Sequence, residues 1–358
     1  GLTAFLIIAL YVRDEMSFDE GVTKNELTYR VVSSHTDWGV RGIIPSNYIE
    51  IINESTPQIV DHSRLAPNFR KNLLTVDDKS IYVNQTIRVD RNFFVFFDFK
   101  LIDANPETVF QHSQSVVITP ELAKKLFGEE NPIGKEVSFN KKETLVVSAL
   151  VEPARKNSTI QFELLRYDKD YFRDAFNESG GVNVTTYVAL AKNASVLEVT
   201  ERVNAAKSIP VYQMFLEDET YSLLQFEDQR LNAPYQSDVF GTNSMSYVLL
   251  FMTIGLVVLL LAVINYINLV TAQAVRRTKE VGLRKVIGAT KRQLVIYQFI
   301  ESITVTMLSV ILSFALAERL LPVINELLSK ELRLDYLSFD FLVWVVIMGG
   351  LFGLLSGA

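Results

Sequence analysis

Apolar and polar positions alternate along this 358-residue chain in two regimes. From residue 239 to residue 275 no side chain is charged, and Ser246 to Ala272 (SYVLLFMTIGLVVLLLAVINYINLVTA) exceeds the roughly 20 apolar residues that carry a helix across a bilayer. Gln293 to Ala317 is a second such stretch, interrupted only by Glu301, and Phe341 to Ala358 is a third. Gly1 to Val12 is apolar but too short to span, and it lacks the initiator Met and basic flank of a signal peptide. The pattern predicts helices over 246–272, 293–317 and 341–358, a loop over 273–292, and the truncated end of a first helix over 1–12. The last helix is expected to be cut inside or just after its apolar run.

Residues 13–245 read differently, with short mixed α and β signals. Leu73–Val76 and Ser80–Val89 alternate apolar and polar residues around Asp77-Asp78-Lys79, which predicts a hairpin. Val116-Val117-Ile118 predicts a short buried strand. It runs into a helix capped by Thr119, with Pro120 first, Glu121 near the positive end and Gly128 beyond Phe127. Strands are expected over Glu136–Phe139 and Thr144–Val151. Ser195 with Glu198 forms a capping box ahead of Val196, Val199, Val203 and Ala206. The dense run Phe93, Phe94, Phe96, Phe97 and Phe99 suits core packing better than an apolar binding surface. For Asn157-Ser158-Thr159, a ligand loop and plain turn chemistry are equally open.

Charge orients the helices. Between residues 273 and 293 stand Arg276, Arg277, Lys279, Arg284, Lys285, Lys291 and Arg292 against the single acid Glu280, so the positive-inside bias places this segment in the cytoplasm. Residues 13–245 then lie outside, and residues 1–245 hold 25 Lys+Arg against 34 Asp+Glu. With the only dense basic patch beside a helix, no nucleic-acid partner is expected. The chain has no Cys and only His35, His62 and His112, which excludes a disulfide framework, a thiol nucleophile and a Cys/His metal cluster. G-x-S-x-G, H-E-x-x-H and the P-loop pattern are all missing, so no catalytic residue, metal or bound cofactor is expected in these residues.

Several segments carry a resemblance. Tyr11-Val12-Arg13-Asp14-Glu15, Ser17-Phe18-Asp19, Asn25 and Tyr29-Arg30-Val31 are followed by Val116–Gly134 (VVITPELAKKLFGEENPIG) and Val147–Phe162. Asn265-Tyr266-Ile267-Asn268-Leu269 and Arg276–Ala289 (RRTKEVGLRKVIGA) complete the set. Together they resemble the MacB/FtsX-like ABC transporter permeases, particularly the long form common in Bacteroidetes. The resemblance implies an α+β extracytoplasmic domain of the MacB periplasmic core type (13–245), inserted between the first and second helices of a four-helix FtsX-like transmembrane module (246–358). It implies a multi-pass protein of the bacterial cytoplasmic (inner) membrane with its large domain in the periplasm. It further implies a non-catalytic subunit whose cytoplasmic P-loop ATPase partner uses ATP and Mg, and a second permease module, as a dimer or a fused repeat.

The expected work is mechanotransmission for export, lipoprotein extraction or control of a periplasmic or outer-membrane partner. A membrane receptor or sensor with an outer ligand-binding domain is the alternative. The candidate ATPase-coupling residues are Lys279, Glu280, Gly282, Leu283, Arg284, Lys285, Gly288 and Ala289, on an amphipathic helix at the cytoplasmic surface. There Glu280 and Arg284 are spaced to pair, and the two glycines permit close approach or a break. Val281, Val286 and Ile287 supply apolar contact. The candidate intramembrane polar residues are Asn265 and Asn268 on one helical face, and Glu301, which can instead reach the lipid head groups or the basic segment.

Overall fold

The computed structural model describes residues 1–37, 39–68, 70–172, 182–206, 218–235, 240–328 and 330–334. These form two compact units, Phe18–Ser244 and a second made of Gly1–Ser17 with the residues from Met245 onward. The third apolar stretch, 341–358, lies outside the described residues. Helix α1 (Leu2–Met16) opens the second unit.

The α/β unit begins with β1 (Thr28–His35), β2 (Gly39–Arg41), β3 (Ile44–Pro45), α2 (Tyr48–Ser55) and β4 (Ile59–Asn68). Next come β5 (Asn72–Val76), β6 (Lys79–Val83), β7 (Thr86–Val89), the single turn α3 (Phe93–Phe96), β8 (Leu101–Ile102), β9 (Ser115–Ile118) and α4 (Pro120–Phe127). The unit continues with β10 (Glu136–Phe139), β11 (Glu143–Val151), β12 (Leu164–Tyr167), β13 (Asn183–Leu190), α5 (Val196–Ala205) and β14 (Glu219–Gln225). Hydrogen bonds order one sheet as β14-β1-β13-β4-β7-β12-β9-β11-β10-β5-β6, with β2, β3 and β8 paired off that path. Among the described residues the pairs are antiparallel except β7–β12 and β9–β11.

Strand alternation sets the layers. On β13, Tyr187 and Ala189 enter a core built on the aromatic run, while Val188 and Leu190 enter another lined by α2 and α5. On β12, Leu165 joins the aromatic core and Leu164 joins a third core under α4. Phe93, Phe94 and Phe97 are fully buried. Phe97 meets Tyr187 edge-on at 5.5 Å, and Phe93 stacks on Phe99 at 5.5 Å. The run is core, as its density predicts. Buried charge is paired: the Arg64 guanidinium donates to both oxygens of Asp90, each at 2.9 Å.

Local signals hold where capping and turn chemistry dominate. Thr119 caps α4, its Oγ1 accepting from Leu122 N, and Gly128 closes the helix at φ 67°. The predicted hairpin forms as β5–β6, with Asp77 at φ 50° in the turn. The expected strand Ser80–Val89 is two strands, because the chain breaks at Asn84-Gln85, where Gln85 O accepts from Glu163 N. β7 then leaves β6 to pair with β4 and β12. Ser195 caps α5, but the Glu198 carboxylate turns to Gln58 and Arg202 and leaves half the capping box unmade.

Two long helices follow, α6 (Met245–Val286) and α7 (Lys291–Leu328). The segment 273–292, expected as the connection between spans with an amphipathic helix from Lys279, is helical to Val286 as a continuation of α6 and again from Lys291; its charged residues are good helix formers. A stripe of Thr306, Val310, Ser313, Ala317 and Leu321 on α7 is buried, while Leu308, Ile311, Leu312 and Leu316 beside it are exposed. On α6, Leu249, Leu250, Leu256, Leu260 and Leu261 are exposed too. Helices with apolar residues facing outward are built for lipid, since a soluble helix turns that face inward. α1 packs against both helices. A Cβ on Gly255 of α6 would stand 3.1 Å from Ile8, so glycine sets the close approach there.

Two outcomes follow from this packing. Phe97→Ala should destabilise the α/β unit by about 3–5 kcal/mol in denaturant unfolding, the cost of truncating a buried aromatic. Gly255→Ile should force α1 off α6, read as loss of a cross-link between cysteines placed at Tyr11 and Phe251, whose rings meet at 4.9 Å.

Candidate functional site

The candidate coupling residues lie towards the end of a long helix and in the turn after it. α6 has 42 residues and is therefore about 63 Å long, twice the ~30 Å hydrocarbon core of a bilayer. From Arg276, its first charged residue, to Val286 the helix runs on for about 15 Å. Arg284 and Lys285 occupy its last turn. Leu283, Val286 and Ile287 stand 64%, 86% and 77% exposed around them.

The connection from α6 to α7 is specified bond by bond. Gly288 N donates to Lys285 O at 3.0 Å and Ala289 N to Arg284 O at 3.0 Å, with Gly288 at φ 98°. That is a Schellman close, and the positive φ requires glycine. Thr290 then caps α7 in a complete capping box: Thr290 N donates to Gln293 Oε1 at 2.9 Å and Gln293 N to Thr290 Oγ1 at 3.4 Å. The Arg284 guanidinium lies 4.1 Å from the centre of the Tyr297 ring and clips the two helix ends together. Of the two glycines, Gly288 makes the break, whereas Gly282 sits in open space within the helix. The side chains of Lys279 and Glu280, and so the expected Glu280–Arg284 pair, lie outside the described residues.

The polar residues of the helices separate in depth. Asn265 and Asn268 are exposed on one face near the end of the α6 span, and among the described residues neither has a hydrogen-bond partner. Glu301 is half-buried, about 15 Å along α7 from the turn. The uncharged stretch of α6 ends at Val275, about 17 Å from that turn, so Glu301 lies about as far from the turn along its own helix.

Two anchors stand in the segments Tyr11–Glu15 and Ser17–Asp19, which carry the resemblance but whose roles the sequence did not give. At the end of α1, Glu15 is 1% exposed and pairs with Lys330 Nζ at 2.8 Å; Asp14 shares the same ammonium, which lies over the Tyr11 ring. Lys330 is held in place because Asn325 at the end of α7 hydrogen-bonds Leu332 in both directions, at 3.0 and 2.8 Å.

The second anchor lies within the α/β unit. Asp19 is 2% exposed, at φ 63°. Its carboxylate accepts from Thr159 N at 2.5 Å, Thr159 Oγ1, Ser158 Oγ at 3.3 Å and Gln229 Nε2 at 3.1 Å, while Asp19 N donates to Asn157 O at 2.8 Å. The loop left open between ligand binding and turn chemistry therefore turns its hydroxyls inward onto a carboxylate. Gln229 in turn accepts from Tyr187 Oη at 2.9 Å, above the aromatic core. Burial pushes the Asp19 carboxyl above its ordinary value of 3.8, and the bonds from Thr159, Gln229 and Ser158 draw it part of the way back.

A buried arginine fixes the outgoing chain. Arg30 on β1 donates to Gly42 O at 2.9 and 2.6 Å and to Tyr235 Oη at 2.9 Å. A side chain at Gly42 would collide with the guanidinium at 2.3 Å. The capping rules that locate α4 could not have found these residues, because each is paired with a partner more than a hundred positions away or with bare backbone. Among the described residues no group of His, Cys, Asp and Glu could hold a metal ion.

Comparison with known proteins follows this geometry. Residues 1–206 match the family described as the MacB-like periplasmic core domain, and residues 252–358 match the FtsX-like permease C-terminal family. The macrolide export ATP-binding/permease protein MacB of Bdellovibrio bacteriovorus is 26% identical over 245 residues, 65% of this chain and 36% of that protein. The ABC transporter permease YknZ of Bacillus subtilis is 22% identical over 196 residues, 54% of this chain and 45% of that protein. The chain thus spans between a third and a half of the length of these relatives. The periplasmic region of MacB from Actinobacillus actinomycetemcomitans, a crystal structure, is 18% identical; the match covers 58% of this chain and 92% of that one with a TM-score of 0.41.

The Asp19 anchor has a definite pH signature. Because its folded value lies above the unfolded one, the folded state holds the extra proton between pH 3.8 and that raised value. Stability contributed by this group falls as pH rises through that window and is level above it. By the same linkage, an opening that hydrates Asp19 becomes less favourable on acidification, so protection of the Thr159 amide should rise as pH falls through that window while β9 and β11 amides keep theirs. Hydrogen exchange across pH 4–7, corrected for intrinsic rate, measures it.

Proposed function

This chain belongs to the FtsX-like permeases that carry a MacB-like periplasmic core domain, and on that premise we propose that it is the non-catalytic mechanotransmission subunit of an ABC-type complex. It sits in the bacterial inner membrane as a multi-pass protein, with the α/β unit inserted between the first two helices of a four-helix module and held in the periplasm. A cytoplasmic P-loop ATPase binding ATP and Mg supplies the energy. The work delivered is export, lipoprotein extraction or control of an outer partner.

The observation that carries this is the end of α6 and the turn into α7. The helix runs about 15 Å past Arg276, its first charged residue, and closes in a tightly specified turn that displays Leu283, Val286 and Ile287 among Arg284 and Lys285. Exposed apolar side chains rimmed by charge on a rigid hairpin are suited to dock in a protein groove and pass its motion along the helix. Gly288 and Ala289 hold the shape of the turn, Gly282 leaves one helix face bare, and Lys279 and Glu280 extend the same helical segment.

Asn265 and Asn268 support a second permease module. Amide side chains exposed near the end of an apolar span gain about 0.6–2 kcal/mol each from a partner helix, which a dimer or fused repeat would supply. The position of Glu301 favours a place at head-group level, near the basic turn, over a proton path at the midplane. The name of the Bdellovibrio relative joins ATP-binding and permease in one protein. A parent carrying its own ATPase is therefore the second reading, with the same docking turn.

The test is gentle purification of the full-length parent from membranes, with mass spectrometry of what accompanies it and an assay of ATP hydrolysis. An ATPase should be present, as partner or fused domain. The double change Val286→Asp/Ile287→Asp, which leaves Gly288 and the capping box in place, should reduce a separate ATPase's association at least about tenfold, equivalent to ~1.4 kcal/mol. In a fused parent the same change should lower coupled hydrolysis. Gly288→Trp should do likewise by breaking the turn. Wild-type protein with no ATPase in an otherwise intact complex would overturn the proposal.

A further inference from the structure

The α/β unit receives the chain at Phe18 and releases it at Ser244. These two ends are bound to each other. Asp19 accepts from Gln229 Nε2, the Arg230 guanidinium lies 3.6 Å from the centre of the Phe18 ring, and Asn243 N donates to Arg230 O at 2.9 Å. The incoming residues 18–19 and the outgoing residues 229–230 and 243 therefore share one knot. Arg30, through Tyr235, fastens the stretch between them to β1.

The same carboxylate binds a third segment, the loop from β11 to β12, through Thr159 and Ser158, with Asn157 O and the Arg155–Glu20 contact alongside. That loop ends at Glu163, whose carbonyl accepts from Thr119 N at the cap of α4. β11 and β12 flank β9. A displacement at residues 157–163 thus acts on β9, β11, β12 and α4 together. Through Gln229 and Tyr187 the knot also reaches β13, in the other half of the sheet.

We propose that Asp19 is a positioning residue that makes the incoming chain, the outgoing chain and loop 157–159 move as one piece, so that motion arriving through either helix is delivered to that loop. The requirement is chemical. Four donors converge on Asp19, and only a carboxylate offers two oxygens with enough lone pairs to accept them all; an asparagine would turn its own amide hydrogens toward some of those donors. The incoming and outgoing chains cannot slide past each other unless the Asp19–Gln229 bond and the Phe18–Arg230 stack both break. This inference rests on the reading of the chain as a nucleotide-driven permease, and the experiment separates the two.

The full parent complex, reconstituted in lipid nanodiscs, is compared by hydrogen-exchange mass spectrometry with and without Mg, ATP and vanadate. In the wild type, exchange should change about threefold both at the turn 287–290 and in loop 155–161. Asp19→Asn should retain assembly and ATP hydrolysis within about twofold, keep the change at 287–290, and lose it at 155–161. A purely structural role would instead lower stability without separating the two sites. If Asp19→Asn does not assemble, Ser158→Ala/Thr159→Val removes two donors and leaves the carboxylate, and should weaken the response of the loop in the same selective way. Persistence of the loop response in these variants, or a wild-type loop silent while 287–290 responds, overturns the role of Asp19. A wild type in which 287–290 itself is unchanged overturns the permease reading beneath it.

Discussion

The carboxylate of Asp19 is the contact on which the base of the α/β unit depends. A buried anion is tolerated only where donors replace the water it has lost, and here two stretches distant in sequence supply them: Ser158 with Thr159, and Gln229. The aromatic core supports this arrangement from below. Phe97 packs on Tyr187 and Phe226, and Tyr187 hands its hydroxyl to Gln229. Removing any one of these residues would leave the others with unfilled volume or an unpaired polar group, so packing and polar satisfaction specify the same geometry.

In the helical unit the dominant constraint is the solvent. α6 and α7 expose leucines and isoleucines that water would not accept, and they bury only a narrow stripe against α1. Where the apolar stretch of α6 ends, the helix continues, because Arg, Lys, Glu and Leu are good helix formers and no proline intervenes before Gly288. The paired Schellman close and capping box keep that end from fraying.

Much of this was legible in the sequence, for identifiable reasons. The apolar runs, the α4 cap at Thr119, the β5–β6 hairpin and the aromatic core are written in local chemistry that needs no distant partner. Helix was expected from Lys279 onward; that it continues α6 without a break through residues 273–278 was not, because clustered charge reads as a loop when only hydropathy is weighed. The split between β6 and β7 was missed because alternation continues across Asn84-Gln85 although the strands part. Asp19 and Arg30 stood in segments that carry the resemblance, but no local chemistry gave their roles. An acid after a helix, a lysine before a glutamate and an arginine in a strand are ordinary until the fold places Thr159, Glu15 and Tyr235 against them. The coupling segment was visible by resemblance, but which of its residues face outward was not; Val286 and Ile287 proved the most exposed of its apolar residues.

The account holds that the turn after α6 and the α/β unit stand on opposite sides of one membrane, since only then can a cytoplasmic ATPase drive an outer domain through these helices. These 358 residues contain no cysteine, so single thiols at Lys285→Cys and Asp78→Cys, in a parent cleared of any others, can be labelled with a membrane-impermeant maleimide. The account predicts that the thiol at 78 reacts in cells with only the outer membrane opened, and that the thiol at 285 reacts only once the inner membrane is breached. Labelling of both from the same side would contradict it.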